Sequence, residues 1–343
     1  MPALAEHPQI VSLALSLGLP GDRSVEEVKA FCVAKVKKLI GKGKIPDSIE
    51  EIERIVCQKL NITIVEVCNE DHIDDIIERY ARQNRDPIFA TIRDELRDDT
   101  FATLIRRKNR PGESGTHYVA VVDCRGDKYH RRFFTRWHEI AHVLTMVDQW
   151  ELPLHRSTSN KDALETMMDI IAAEIGFFDP LFTPQVLSHF GDGPLTIEGV
   201  AKLREAYSDR ASFQATLNAC AQVFPRAVIV LEAELGYKKA ELQDLEQGFL
   251  LPGERPEAKL RITSSKANQA AALMGMKIPQ RLRVPAGSVI MEAHKYGPSV
   301  GPFFASENLD MWSASNGRSL AKQRIWVEAK ATPNGVFAVV TVL

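Results

Sequence analysis

Residues 138–142 read His138-Glu139-Ile140-Ala141-His142, so two histidines lie four positions apart and a glutamate directly follows the first. On a helix, residues four positions apart share a face, and both imidazoles can therefore bind a single metal ion. Glu139 then lies next to the coordination position that such an ion leaves for water. The pattern is typical of zinc-dependent peptidases, in which the glutamate is the general base.

The sequence around this motif indicates whether the helix is buried or solvated. An amphipathic surface helix with exposed histidines is the alternative interpretation. The surrounding residues are mostly apolar: Phe133, Phe134, Ile140, Ala141, Val143, Leu144, Met146 and Val147. Such a helix is predicted to be buried. Because buried histidines and carboxylates cost free energy unless a partner binds them, we favour a metal site.

A catalytic zinc ion takes three protein ligands and keeps its fourth position open. The best candidate for the third ligand is Glu165, which lies in a second, mostly apolar helical stretch and shares a face with Asp169. Asp169 is then the predicted acceptor for the other ring N–H of a histidine ligand. Alternatively, both acids stabilise the N-terminal end of a helix dipole. His155 and Glu174 are weaker candidates for the third ligand.

Four segments along the chain match a known family pattern: a strand, a lead-in, the histidine motif and a later acidic helix. They are Tyr118–Asp123, Arg132–Thr135, His138–His142 and Glu165–Ala173. Together they resemble the ImmA/IrrE-type metallopeptidases, and this resemblance also makes Glu165 the third metal ligand. Two places depart from the family pattern, namely Arg136-Trp137 and Phe178-Asp179-Pro180. The first departure affects the expected shape of the substrate cleft and leaves the metal ligands in place.

The resemblance continues beyond the motif helices. Gly199–Ser208 and Ser212–Ala221 are similar to the helix-turn-helix-like segment of the longer IrrE-like proteins. The chain from residue 258 onward resembles their sensor-like domain of GAF type, with Lys259–Thr263 and Val336–Val342 as its first and last strands.

The expected fold class is α+β, with a zincin-like metallopeptidase domain, a helical segment and a β-rich, GAF-like C-terminal domain. We assign residues 1–190 to the metallopeptidase domain, including a helical insertion at about 71–98 that is interpreted as a solvated helical face. Residues 191–252 form the helix-turn-helix-like segment, and residues 258–343 form the β-rich domain. The proline- and glycine-containing stretch Pro252–Pro256 is the predicted linker.

Local signals predict the elements that lead into the catalytic fold. Ser24 and Glu27 form a capping-box pattern that opens a helix running to about Gly41. A second helix is predicted from about Ser48 to Leu60, followed by a strand at 62–67. A further strand is predicted at 101–106.

Composition fits an ordinary globular protein of two or three domains, with 45% hydrophobic and 26% charged residues in 343. The formal net charge of −2 argues against direct nucleic-acid binding. Five scattered cysteines without CxxC spacing indicate reduced thiols and a cytoplasmic location. No stretch has the length and apolar character of a membrane span or a signal peptide, so we expect no membrane partner.

The oxyanion formed during peptide hydrolysis needs a donor beside the metal. Tyr118, Arg132 and Arg136 are near enough to the motif in sequence to be candidates, although a structural arginine paired with a carboxylate is an equal alternative. Zn²⁺ is the expected cofactor, and the His₂Glu donor set also accepts Mn²⁺.

The resemblance implies a function as well as a fold. Members of the family cleave helix-turn-helix repressors and so release a stress-response or mobile-element regulon, with a place for a small-molecule or protein signal at the C-terminal domain. Two other classes stay open: a zinc hydrolase of another peptide or toxin-type substrate, and a non-catalytic metal-binding anti-repressor or sensor. An intact Glu139 favours an enzyme, because a binding module needs no general base.

Overall fold

The computed structural model describes residues 4–43, 45–107, 116–146, 154–157, 162–238, 241–242, 257–312, 320 and 322–343. The chain divides into two units: Met1–Pro184 with Arg204–Ala215, and Gln185–Leu203 with Thr216–Leu343. The described elements are mixed helices and strands, with most of the strands in the C-terminal part, as the α+β prediction requires. The predicted linker Pro252–Pro256 lies outside the described residues.

Three helices open the first unit: α1 Pro8–Ser16, α2 Ser24–Ile40 and α3 Ile49–Leu60. The start of α3 is confirmed, because Ser48 accepts a hydrogen bond from the backbone N–H of Glu51 at 3.2 Å. The capping box at α2 is wrong in detail. The Ser24 hydroxyl is buried and donates to the Ala5 carbonyl, because a 3₁₀ turn at Leu4–Glu6, before α1, packs against α2.

A four-stranded sheet lies at the centre of the first unit. Its strands are β1 Ile62–Val67, β2 Thr100–Arg107, β3 His117–Asp123 and β4 Leu154–Ser157. They are arranged in the order β1-β3-β2-β4, with β1 parallel to β3 and the other two pairs antiparallel. The strands predicted at 62–67, 101–106 and 118–123 are confirmed.

The predicted insertion at 71–98 is helical, and its charged residues form a solvated face as expected, opposite a buried apolar face. It consists of α4 Glu70–Ile76, a π-helical stretch Ile77–Gln83, a 3₁₀ turn Pro87–Thr91 and α5 Ile92–Glu95. Six apolar side chains of this region pack in one buried cluster with sheet residues such as Val119 and Val121: Ile73, Ile76, Tyr80, Phe89, Ile92 and Leu96. The charged residues that dominate its composition lie outside, while the apolar ones cover one face of the sheet.

The other face of the sheet packs against α6 Arg132–Thr145, which carries the histidine motif. A 3₁₀ turn at Gly126–Arg131 connects β3 to α6. Next come α7 Ala163–Gly176, which packs against α6, and α8 Asp179–Phe190. Helices α9 Ile197–Tyr207 and α10 Phe213–Val223 occupy the predicted helix-turn-helix-like segment, and each has residues in both units.

The second unit contains a five-stranded antiparallel sheet in the order β6-β5-β9-β8-β7. Its strands are β5 Val228–Gly236, β6 Lys259–Ala267, β7 Phe303–Asn308, β8 Arg324–Thr332 and β9 Gly335–Val342. Two short helices, α11 Gln269–Leu273 and α12 Val289–Tyr296, join β6 to β7. Alternate strand residues such as Ile229, Val327 and Val340 share one core with Trp312, which is fully buried.

Among the helices of the described ranges, no single helix is long and apolar enough to cross a membrane. Helices α7 and α8 meet the length and composition criteria only as a pair, which is bent by 60°.

Gly335 is a residue on which the β8–β9 hairpin depends. Its φ is +156°, and a Cβ built there would lie 2.3 Å from the carbonyl oxygen of Ala233 on the neighbouring strand. We expect Gly335→Ala to lower the free energy of unfolding by about 1–3 kcal/mol, because strand β5 must move to admit the methyl group. Chemical denaturation followed by circular dichroism measures the change.

Gly301→Ala is the matched control, because no heavy atom lies within 4 Å of the Cβ position at Gly301. It should unfold like the parent protein. Equal stability of the two alanine variants would contradict the role assigned to Gly335.

Candidate metal centre

The motif side chains are almost completely shielded from solvent. His138 and Glu139 are each 1% exposed and His142 is 2% exposed. Their burial follows from the helix itself, because Trp137, Ile140, Ala141 and Leu144 of α6 are fully buried beside them. The prediction of a buried helix is therefore confirmed, and the solvated alternative is wrong.

Helix α7 brings two carboxylates to this part of α6. Asp162 caps the helix by accepting from the backbone N–H of Leu164 at 3.1 Å, which places Glu165 in the first turn and Asp169 one turn later. The two helices pack closely at the other end of α7. A Cβ on Gly176 would lie only 3.0 Å from Cδ1 of Trp137, so a larger residue there would press on the Trp137 ring.

The ligand atoms of His138, His142 and Glu165 converge on one point. Nε2 of His138 lies 3.0 Å from Oε2 of Glu165, and Nε2 of His142 lies 3.3 Å from Oε1 of the same carboxylate. The two Nε2 atoms are 3.1 Å apart. All three ligand atoms fall within 4.8 Å of one another. Two imidazole nitrogens and a carboxylate oxygen form a donor set that suits Zn²⁺.

Asp169 determines which nitrogen of His138 faces this point. Its Oδ1 lies 2.8 Å from Nδ1 of His138, so Nδ1 carries the hydrogen and donates it to the carboxylate. Nε2 of the same ring then faces Glu165 and His142. A cation at the centre of the cluster would bind this nitrogen while Asp169 orients the ring, so the residues fit a metal ion.

The charge state of Glu165 also fits a metal ligand. Burial raises the pKa of this carboxyl group, but hydrogen bonds with His138 and His142 outweigh burial and hold the pKa well below its ordinary value. Glu165 is therefore ionised at neutral pH. A buried anion between two imidazoles is stabilised by any cation that binds there.

Arg136 fixes the motif helix to two other elements. Its guanidinium donates to Glu53 on α3 through Nε, at 3.0 Å, and also through Nη2. Nη1 donates to Glu66 on β1 at 2.8 Å. Arg136 is thus the structural arginine that was the alternative to an oxyanion donor, and its carboxylate partners lie on elements far away in sequence.

Three of the remaining sequence candidates contact residues other than the three ligands. Arg132 stacks over the ring of Tyr129, with 3.5 Å between guanidinium carbon and ring centroid. Tyr118 is the second residue of β3, and its backbone N–H donates to the Asn61 carbonyl. Glu174 forms an ion pair with Lys29 at 2.8 Å. The side chain of His155 lies outside the described residues.

Lys35 is a residue of the site that sequence reasoning missed. Its Nζ donates to the backbone carbonyl of Leu144 at 2.8 Å, at the C-terminal end of α6. A cation at this end satisfies a carbonyl that lacks a helical partner and interacts favourably with the helix dipole. No sequence signal connects α2 to α6, because the two residues are 109 positions apart.

The comparisons with known proteins give little further information. No family model matches the chain, and no curated protein matches it. Among solved structures, the fold is similar to a chain described as a "Mycobacterium tuberculosis transcriptional regulator". That similarity covers 92% of this chain and 80% of the other at 12% sequence identity, with a TM-score of 0.43. A similarity of this extent assigns no activity.

Replacing Arg136 tests how the motif helix is held. In Arg136→Met, Glu53 is left as a buried carboxylate without its partner, since Glu53 is only 6% exposed. We expect a loss of about 3–5 kcal/mol in the free energy of unfolding. Urea denaturation monitored by circular dichroism measures it.

Arg54→Met on α3 is the control, because Arg54 pairs with Glu51 at the surface, where ion pairs contribute little. Its unfolding curve should stay close to that of the parent protein. The anchoring role of Arg136 would be refuted by two variants of similar stability.

Proposed function

We propose that this chain is a zinc-dependent endopeptidase of the HExxH type with a gluzincin-like ligand set. The observation that supports it most strongly is the convergence of His138, His142 and Glu165 within 4.8 Å in a buried setting. Short motifs also occur by chance. In a chance motif, however, there is no reason for a third ligand to lie beside the two histidines. The family resemblance and the geometry name the same three residues.

Each residue has a distinct role in the proposed site. His138, His142 and Glu165 hold the ion, and Asp169 keeps the His138 ring in the orientation that binding requires. Bound Zn²⁺ supplies Lewis acidity, which polarises a peptide carbonyl and makes a nearby water more acidic. Glu139 accepts a proton from the attacking water and later delivers it to the leaving amine.

The zincin-like assignment of the first unit belongs to the same proposal. A mixed sheet supports α6 on one face, and α7 supplies the third ligand from the C-terminal side of the motif. Arg136 and Lys35 hold α6 near its two ends, so the histidines lie on a rigid element. Rigid support of the ligands is what a catalytic metal site needs.

The proposed substrate is a helix-turn-helix transcriptional repressor, cleaved to release a stress-response or mobile-element regulon. This part rests on the resemblance to ImmA/IrrE-type peptidases alone. The second unit, with its separate five-stranded sheet, provides a region where a small-molecule or protein signal can act. The GAF-type and helix-turn-helix-like assignments of the C-terminal part are included in this proposal.

Metal content tests the site directly. We expect the purified protein to contain about one equivalent of zinc, or of manganese where that metal is supplied, and the Glu165→Ala variant to contain far less. Elemental mass spectrometry after dialysis measures both. Glu174→Ala on the same helix is the control and should retain the metal, because Glu174 pairs with Lys29. Equal metal content in all three proteins would refute the assignment of Glu165.

A test of catalytic activity requires a second variant, one that leaves the metal ligands intact. Glu139→Gln should bind metal normally and cleave about 10²–10⁴-fold more slowly, because the amide cannot accept the proton. Cleavage is measured by mass spectrometry on a panel of helix-turn-helix repressors, with unstructured peptides as generic substrates. Turnover of the generic peptides alone would favour the broader hydrolase. Metal-replete parent protein without any cleavage would favour the anti-repressor or sensor.

A further inference from the structure

Two cysteines of the first unit directly follow neighbouring parallel strands. Strands β1 and β3 pair with constant register from Ile62 opposite Tyr118 to Val67 opposite Asp123. One step further along the same register places Cys68 opposite Cys124. The ladder ends directly before this step, where the backbone N–H of Cys124 donates to the carbonyl of Val67 at 2.8 Å.

Continued by one step, this register gives the Cα atoms of the two cysteines a separation that is found in disulfides. Adjacent strands are about 4.8 Å apart, and the Cα atoms of disulfide-bonded cysteines are typically about 4.4–6.8 Å apart. Residues opposite each other in a ladder project to the same face of the sheet. Cys124 packs with Ile64 and Val122, and Cys68 is two positions beyond Glu66 and four beyond Ile64, so both cysteines belong to this face.

The two thiols differ in their access to solvent. Cys68 is exposed, whereas Cys124 is only 3% exposed. Burial, followed by the nearby charges of Glu66 and Cys68, raises the pKa of Cys124 to about 12. An oxidant from solution therefore reaches Cys68 first, and Cys124 lies next to it as the resolving thiol.

We propose that Cys68 and Cys124 are a redox modification site that forms a reversible intramolecular disulfide when the protein meets a peroxide. The Cys68 thiol gives up its proton to solvent, its thiolate attacks one oxygen of hydrogen peroxide, and the O–O bond breaks. The departing hydroxide takes up a proton from solvent, so Cys68 becomes a sulfenic acid and one water leaves. The sulfur of Cys124 then attacks the sulfenic sulfur, its proton leaves with the hydroxyl group, and a second water departs. Two thiols are oxidised by two electrons, and one peroxide is reduced to two waters.

The position of this disulfide connects it to the motif helix. Glu66, two residues before Cys68, accepts the hydrogen bond from Arg136 of α6. The disulfide joins β1 to β3 beside this ion pair and closes a covalent loop from residue 68 to residue 124. Because cross-links restrict the unfolded chain, the oxidised protein should also unfold at a higher temperature than the reduced protein. The inference concerns the cysteines alone and stands whether or not the metal site is catalytic.

The test counts thiols and identifies the linked peptides in the full-length protein. Hydrogen peroxide at low protein concentration should lower the number of free thiols from five to three, and dithiothreitol should restore five. Digestion with trypsin under non-reducing conditions should release residues 60–79 linked to residues 109–125. Cys68→Ser should abolish this linked species. Because Cys68 is exposed, this variant is expected to fold even where Cys124→Ser does not.

Cys220→Ser is the matched control, because Cys220 is buried in the second unit. After peroxide treatment, this variant should lose two of its four thiols and give the same linked peptides as the parent protein. Retention of five thiols after peroxide, irreversible sulfinic acid at Cys68 without cross-linking, a linked pair of other cysteines or a disulfide between two molecules would each overturn the proposal.

Discussion

The burial of three polar side chains on one helix is the constraint on which the architecture of the first unit depends. His138, Glu139 and His142 are each 2% exposed or less, so bulk water cannot solvate them. Removal of such groups from water costs several kcal/mol each when no partner is provided, roughly as much as a domain's net stability. Helix α7 must therefore present Glu165 and Asp169 at this place, and the close approach at Gly176 keeps it there.

The motif helix is held by charges from elements that are distant in sequence. Near its N-terminal end, Arg136 joins α3 and β1 through Glu53 and Glu66, and at its C-terminal end Lys35 of α2 binds the carbonyl of Leu144. These contacts fix both the rotation and the axial position of α6. Ligands separated by one helical turn need that precision, because a shift of about 1 Å in the supporting structure is enough to weaken a site.

The two faces of the central sheet pack against different parts of the first unit. One face is covered by the apolar side chains of the region from α4 to α5, such as Ile73 and Phe89. The opposite face of the sheet packs against α6 and carries Glu66. Cys68 and Cys124 directly follow the ends of β1 and β3. The proposed redox site and the proposed metal site thus belong to the same layer of the fold. A cross-link between β1 and β3 constrains the strand that provides an anchor for the motif helix.

The sequence by itself determined the motif helix, its burial and the helical stretch that carries Glu165 and Asp169, because periodicity and apolar flanks are local properties. It also predicted the strands at 62–67, 101–106 and 118–123. It predicted the solvated face of the stretch at 71–98 but not the buried apolar face opposite, since a high charge content conceals a narrow apolar stripe. Only the tertiary structure decided that Arg136 is an anchor, that Lys35 caps α6 and that Val67 pairs with Asp123, directly before Cys68 and Cys124. These pairings join residues 56 to 109 positions apart, and strand register and helix packing, which no local pattern encodes, bring them together.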